Sequence, residues 1–204
     1  MAKKEKKQTN EVVEKNTKNA VRDMALEYGP FIIILLFILI IRLFIASPIK
    51  VQGTSMLPTL EQGDYMLLYK LKMKVKGLNR FDIVVVKLSD GDIIKRVIGL
   101  PGETVKYEVK EEEGETKGIL YVDGKIIEEE FLDSEAKAST CIRENNLCSE
   151  GVTLGQDEYF VMGDNRRVSH DSRYIGPIKK DQIKGITELR LFPFSKFGNI
   201  KAGK

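Results

Sequence analysis

The chain has 204 residues, 42% of them hydrophobic and 31% charged, with a net charge of +3. That length accommodates one compact domain plus an anchor, and six prolines with 17 glycines exclude a collagen-like or low-complexity chain. Two cysteines exclude a disulfide scaffold and a single histidine, His170, excludes a Cys/His zinc cluster, so a protein metal centre is not expected; the small net charge makes no case for nucleic acid.

The first 29 residues are basic, with Lys3, Lys4, Lys6, Lys7, Lys15, Lys18 and Arg22. From Pro30 to Ile49, twenty residues carry one charge, Arg42, and every helical face is apolar. A helix of that length spans roughly 30 Å, the thickness of a bilayer's hydrocarbon core. A cleaved leader would need small residues at the cut, yet cutting after Ala46 puts Phe44 two positions before it, and cutting after Ser47 puts Pro48 just beyond. The stretch therefore reads as a permanent single-pass anchor. Its basic flank places the N-terminus in the cytoplasm and the rest of the chain outside. There Cys141 and Cys148, flanking Asn145-Asn146, either pair across a turn or remain two thiols.

Beyond the anchor the pattern is of short β-branched and aliphatic runs broken by glycine, proline and aspartate turns, and no long amphipathic helix stands out. Strands are predicted at Tyr65 to Tyr69, Ile83 to Lys87, Ile93 to Ile98, Thr104 to Val109, Ile119 to Val122, Tyr159 to Met162 and Thr187 to Leu191. Asp-Gly turn signals at Asp90-Gly91 and Asp123-Gly124 predict two hairpins. The reading is a mainly β sandwich or barrel. Between Glu108 and Glu135 eleven acids face only Lys110, Lys117 and Lys125, a solvated and inserted smaller β lobe. The tail Leu191-Phe192-Pro193-Phe194 is expected to close the core as a packed edge, with lipid contact as the alternative. The expected organisation is 1–29 cytoplasmic, 30–49 anchor, 50–107 and 156–204 the β core, and 108–155 the lobe.

Gly53-Thr54-Ser55-Met56-Leu57-Pro58-Thr59 holds Ser55 in a constrained turn, where a side chain is exposed. A serine nucleophile needs a base. His170 is one candidate, but a lone histidine in a polar loop is usually a surface residue. Lys95 is the other. Strand periodicity puts it on one face with Ile93 and Val97 and turns Arg96 the opposite way, and apolar walls lower a lysine pKa into the range of a working base. Forty residues separate Ser55 from Lys95, so only the fold can join them. The polar run Gly163 to Arg173 offers hydroxyls to orient an amine, and Asp171 and Arg173 to fix a loop.

These pieces together resemble the bacterial type I signal peptidases. The resemblance rests on Gly53 to Thr59, Arg80 to Val85, Lys95 to Glu103 and Gly163 to Arg173, in that order behind one span. It implies a signal-peptidase-like β-sheet core with a smaller inserted β lobe and one N-terminal transmembrane helix. It implies a serine endopeptidase that cleaves signal peptides from exported preproteins after a small residue, at the bilayer surface and without a cofactor. Ser55 would be the nucleophile, Lys95 the general base and Ser169 the hydroxyl holding the amine. Asp164, Asp171 and Arg173 would be ionic supports, and the preprotein would bind as an added strand. Gly53 stands where some members carry a serine that helps build the oxyanion hole, which leaves the Ser55 backbone N–H and a second donor. Arg167 and Val168 replace the aspartate and asparagine often found there. A single span with a small lobe looks Gram-positive. The alternatives are an inactive homologue or anchored binding module for preproteins, and a self-cleaving repressor-type protease, which carries a soluble DNA-binding domain where this chain has its apolar span.

Overall fold

Continuous β-branched runs make strands that are buried on both faces, and Ile83-Val84-Val85-Val86 is such a run, with exposure of 4% or less throughout. In the computed structural model, which describes residues 22–112, 115–132 and 151–200, it forms the middle of an eight-stranded sheet. Two units are distinguished, one ending at Phe44 and one running from Ile45.

A helix (α1, Arg22–Ile45), all but its last residue in the first unit, stays exposed along its apolar length, with its last five residues in a π turn. At ~1.5 Å per residue it measures about 36 Å. The helix differs in extent from the apolar stretch 30–49 at both ends. Helix begins upstream of Pro30, and Ala46–Lys50 forms a strand (β1) whose backbone is paired residue for residue with Tyr65–Tyr69 (β2). An apolar sequence does not mark where a helix ends and a sheet begins; the pairing partner does.

In the second unit a short helix (α2, Lys70–Lys76) follows β2, and then come β3 (Ile83–Leu88) and β4 (Gly91–Gly99), the predicted hairpin at Asp90-Gly91. The later strands are β5 (Thr104–Glu112), β6 (Glu115–Val122), β7 (Lys125–Ile126), β8 (Val152–Thr153) and β9 (Glu158–Met162). A one-turn helix (α3, Ser172–Ile175), β10 (Ile178–Lys179), β11 (Ile183–Phe192) and β12 (Gly198–Asn199) complete it. The larger sheet runs β1-β2-β11-β3-β4-β9-β10 with β12 on β11, every pairing antiparallel, and the smaller runs β7-β6-β5-β8. The mainly β expectation holds. The larger sheet is open, since β1 and β10 end it without pairing to each other, and the second hairpin, β6 to β7, turns at Asp123-Gly124 as expected.

The smaller sheet starts four residues earlier than the expected lobe, taking all of β5. Gly99 ends β4 where a Cβ would lie 2.3 Å from a Val105 methyl. Only a glycine lets the chain pass that close and change sheets. Both sheets share a core in which Ile98, Phe160 and Met162 meet Val105, Tyr107, Leu120 and Val122. Val84, Val86, Val97, Val161, Ile183 and Ile186 form a second cluster. The lobe's acidic stretch is not wholly solvated, for Glu129 is 3% exposed. The tail departs from a packed edge: Phe192 and Phe194 meet edge to face, yet Phe194 remains 80% exposed. Cys141 and Cys148 lie outside the described residues.

Candidate active site

The turn that carries Ser55 is pinned from below. Met56 and Leu60 bury their side chains with Val51, Met66 and Ile83, and the backbone closes through Leu57 N–H to Thr54 O at 3.2 Å and Leu60 N–H to Met56 O at 2.9 Å. Arg190 of β11 reinforces it, donating to Thr59 O at 2.6 Å and lying 3.0 Å from the Asp64 carboxylate. The Gly163–Arg173 loop holds it from the other side, as Asn165 N–H donates to Ser55 O at 3.0 Å and Asn165 Nδ2 to Thr54 O at 3.3 Å. Ser55 is half-buried, and among the described residues its backbone N–H meets no acceptor.

Lys95 projects from β4 opposite Val84 of β3. Its side chain is buried, 3% exposed, and its Nζ lies 2.8 Å from Ser55 Oγ and donates to Ile94 O at 3.0 Å. Burial pushes the amine down to about 8, because the site cannot hydrate the ammonium; the Asp171 and Asp164 charges oppose this and Arg173 adds to it. Ser55 and Lys95 open into a groove of about 620 Å³ lined by Ile49, Lys50 and Gln52 on one side and Val85, Gly91, Ile93 and Ile94 on the other. An uncharged amine at this distance is able to take the serine proton as the oxygen attacks a carbonyl in the groove.

Arg96, turned the opposite way as strand periodicity requires, is fully buried against Asp164 in a fork: Nε donates at 2.9 Å and Nη2 at 2.6 Å to the two carboxylate oxygens. Thr59 Oγ1 donates to the same carboxylate at 2.5 Å, Arg96 Nη1 to Phe81 O at 3.0 Å, and the guanidinium lies 3.9 Å from the centre of the Phe131 ring. Asp164 therefore ties the loop to the strand that bears Lys95 and to the turn that bears Ser55. Asp171 takes hydrogen bonds from Gly163 N–H at 2.9 Å and from Arg173 Nε at 2.8 Å. Burial pushes its carboxyl up, but Arg173 and the Gly163 N–H outweigh that and hold it below the ordinary carboxylate range. The expected pairing of Asp171 with Arg173 is thus present.

Ser169 differs from expectation. Its hydroxyl is buried and contributes to keeping Asp171 ionised, but it forms no hydrogen bond of ordinary geometry, and the amine's second partner is the Ile94 carbonyl. It packs instead against Gly163, where a Cβ would come within 2.2 Å of Ser169 Oγ and 2.5 Å of Ser55 O. His170 stacks on Tyr174 and lines a different hollow with Lys87, Leu88 and Asp90. Sequence reasoning missed Arg96 and Arg190 as supports. It also missed Arg166, which pairs through both outer nitrogens with Glu129 of the lobe and donates from Nε to Gly163 O at 3.0 Å. The alternation along β4 already marked Arg96 as facing away from Lys95; nothing local marked Glu129.

A family model described as "Signal peptidase, peptidase S26" matches residues 25–192. Signal peptidase I T of Bacillus subtilis is 36% identical over 97% of this chain and 99% of its own. Signal peptidase I of Bacillus caldolyticus is 36% identical over 82% of this chain and 91% of its own. A crystal structure of a signal peptidase I from Enterococcus faecalis is 30% identical, covering 53% of this chain and 95% of its own with a TM-score of 0.39. On the family model and the sequence relatives, the chain belongs to the signal peptidases of family S26, serine endopeptidases of the bacterial type I kind.

Proposed function

We propose that this protein removes N-terminal signal peptides from exported preproteins, cleaving after a small residue, with Ser55 as nucleophile and Lys95 as general base. The observation that carries the reading is the 2.8 Å separation of Ser55 Oγ from a lysine amine that is buried and pushed down to about 8. Uncharged Lys95 takes the proton as Ser55 Oγ bonds to the scissile carbonyl carbon, and the oxyanion forms beside the Ser55 N–H. The intermediate collapses when the protonated amine gives its proton to the leaving nitrogen, which frees the mature protein and leaves an acyl-enzyme. Water, deprotonated by the same amine, then releases the signal peptide and restores Ser55.

Asp164, Asp171 and Arg173 act as positioning residues that hold the loop against the Ser55 turn. The preprotein lies extended in the groove between β1 and β4, where main-chain hydrogen bonds supply affinity and small apolar recesses select the residue before the cut. Helix α1 crosses the bilayer once, with the basic N-terminus in the cytoplasm and the β unit outside. Anchoring confines enzyme and preprotein to one plane and raises the effective concentration of the cleavage site.

The test is processing of a model preprotein by the full chain, with the cut bond mapped by mass spectrometry, beside folded Ser55→Ala and Lys95→Ala variants. Cleavage after a small residue that both substitutions abolish is the expected result. Wild-type rates in either variant would remove the mechanism.

A further inference from the structure

Helix α2 reads Lys-Leu-Lys-Met-Lys-Val-Lys, with no acidic residue. At about 100° per residue, Leu71 and Val75 share one face and Met73 points to nearly the opposite one. The structure follows that wheel. Met73 packs against the cluster of Val84, Val86 and Ile186, whereas Leu71 is 45% and Val75 73% exposed. On the same wheel Lys70 and Lys74 flank the exposed pair on one side, and Lys72 and Lys76 on the other. Lys72 is held by Glu188 of β11. A helix docked through one methionine thus presents two aliphatic side chains outward in a frame of ammonium groups. Water hydrates such a face poorly, but a bilayer surface accommodates it, with aliphatic groups entering the acyl boundary and lysine stems reaching back to the head groups.

Strand register fixes where this face stands. Ala46, the residue that follows the apolar helix in the chain, is paired with Tyr69, and Tyr69 caps α2. Paired strands lie about 5 Å apart, so α2 starts roughly one strand spacing from the residue at which the chain leaves its apolar segment. The interfacial zone of a bilayer is itself about 5–8 Å deep on each side.

We infer that α2 is a lipid-contact foot, with Leu71 and Val75 resting in the outer interface and Lys74 and Lys76 recognising anionic head groups. The inference rests on the reading of α1 as a membrane anchor. The foot would set the height and tilt of the β unit, and hence of the groove beside Ser55, against the membrane surface. The recognised chemistry is a lipid phosphate with net negative charge, such as phosphatidylglycerol.

The experiment uses the full chain in lipid nanodiscs, in a Cys141→Ser/Cys148→Ser background with Val75→Cys carrying a bimane fluorophore and with lipids brominated in the acyl chains. With phosphatidylglycerol present, bimane at position 75 is expected to be quenched at least two-fold. In phosphatidylcholine alone, or in the Lys74→Gln/Lys76→Gln variant, quenching should fall, as each lysine near an anionic surface shifts the apposed population roughly five-fold. Unchanged cleavage of a soluble peptide in detergent shows that these exposed substitutions leave the fold intact. If the chain does not enter discs at all, the anchoring reading fails and takes the foot with it. If it enters discs and position 75 stays unquenched, the foot alone is overturned. Quenching indifferent to phosphatidylglycerol and to the lysines would overturn the head-group recognition.

Discussion

Raising the pH titrates Lys95, and the size of its effect on rate follows from the site. Burial brings the amine from 10.5 down to about 8, a displacement that the Asp171 and Asp164 charges keep from going further. At neutral pH about one molecule in ten then carries the uncharged amine, against roughly one in 3,000 for an unshifted lysine, a gain of about 300-fold in active enzyme. On the proposed mechanism the uncharged form is the base, so kcat/KM is expected to rise with pH, about ten-fold per unit on the acid limb, and to level above about 8. The assay is continuous cleavage of a fluorogenic peptide bearing a signal-peptide cut site, with the full chain in detergent from about pH 6 to about pH 10.5. A rate still climbing towards the ordinary lysine pKa would mean a hydrated amine. A flat profile would mean that Lys95 carries no proton in the rate-limiting step.

The same shift predicts a stability signature. Between about 8 and 10.5 the unfolded chain binds the proton that the folded chain has shed, so stability rises with pH through that window. Relative to Lys95→Met, the wild type should gain up to about 3 kcal/mol across it, read from melting in detergent; a difference independent of pH would contradict a dehydrated amine. Gly163→Ala drives a methyl into the space of Ser169 Oγ and Ser55 O, and a nucleophile displaced by even about 1 Å should lose roughly 100-fold in kcat; a variant with wild-type kcat would show that the loop does not set the Ser55 position. Asp164→Ala strands the Arg96 guanidinium in a site with no solvent access, at an expected cost of about 3–5 kcal/mol, most of which a paired Arg96→Leu should restore. A loss in the double variant equal to that in the single would refute the pairing as the cause. Glu129→Ala does the same to Arg166, and because Arg166 also holds Gly163 O, kcat should fall along with the melting temperature, whereas an unaffected kcat would confine the pair to stability.

What the chain reveals without its fold is whatever depends on neighbouring residues. A long run without charge reads as an anchor, alternation along Ile93 to Val97 tells which way Lys95 and Arg96 point, and Asp-Gly lies at both hairpins, at Asp123-Gly124 because both residues take the positive φ that a tight turn demands locally. Tertiary structure alone decided everything that depends on partners distant in sequence. Ala46–Ile49 looks like more of the apolar span until Leu67, Leu68 and their neighbours pair with it. The acidic lobe looks solvated until Arg166, 37 residues on, takes Glu129 into the interior. Ser169 looks like the amine's holder, yet the packing of Gly163 against it and the reach of the lysine to Ile94 O leave that hydroxyl elsewhere. Above all, the Lys95 ammonium becomes a strong enough acid to shed its proton near neutral pH only when a strand and a turn 40 residues apart come together and exclude water from it, and desolvation is a property of enclosed space that no linear pattern contains.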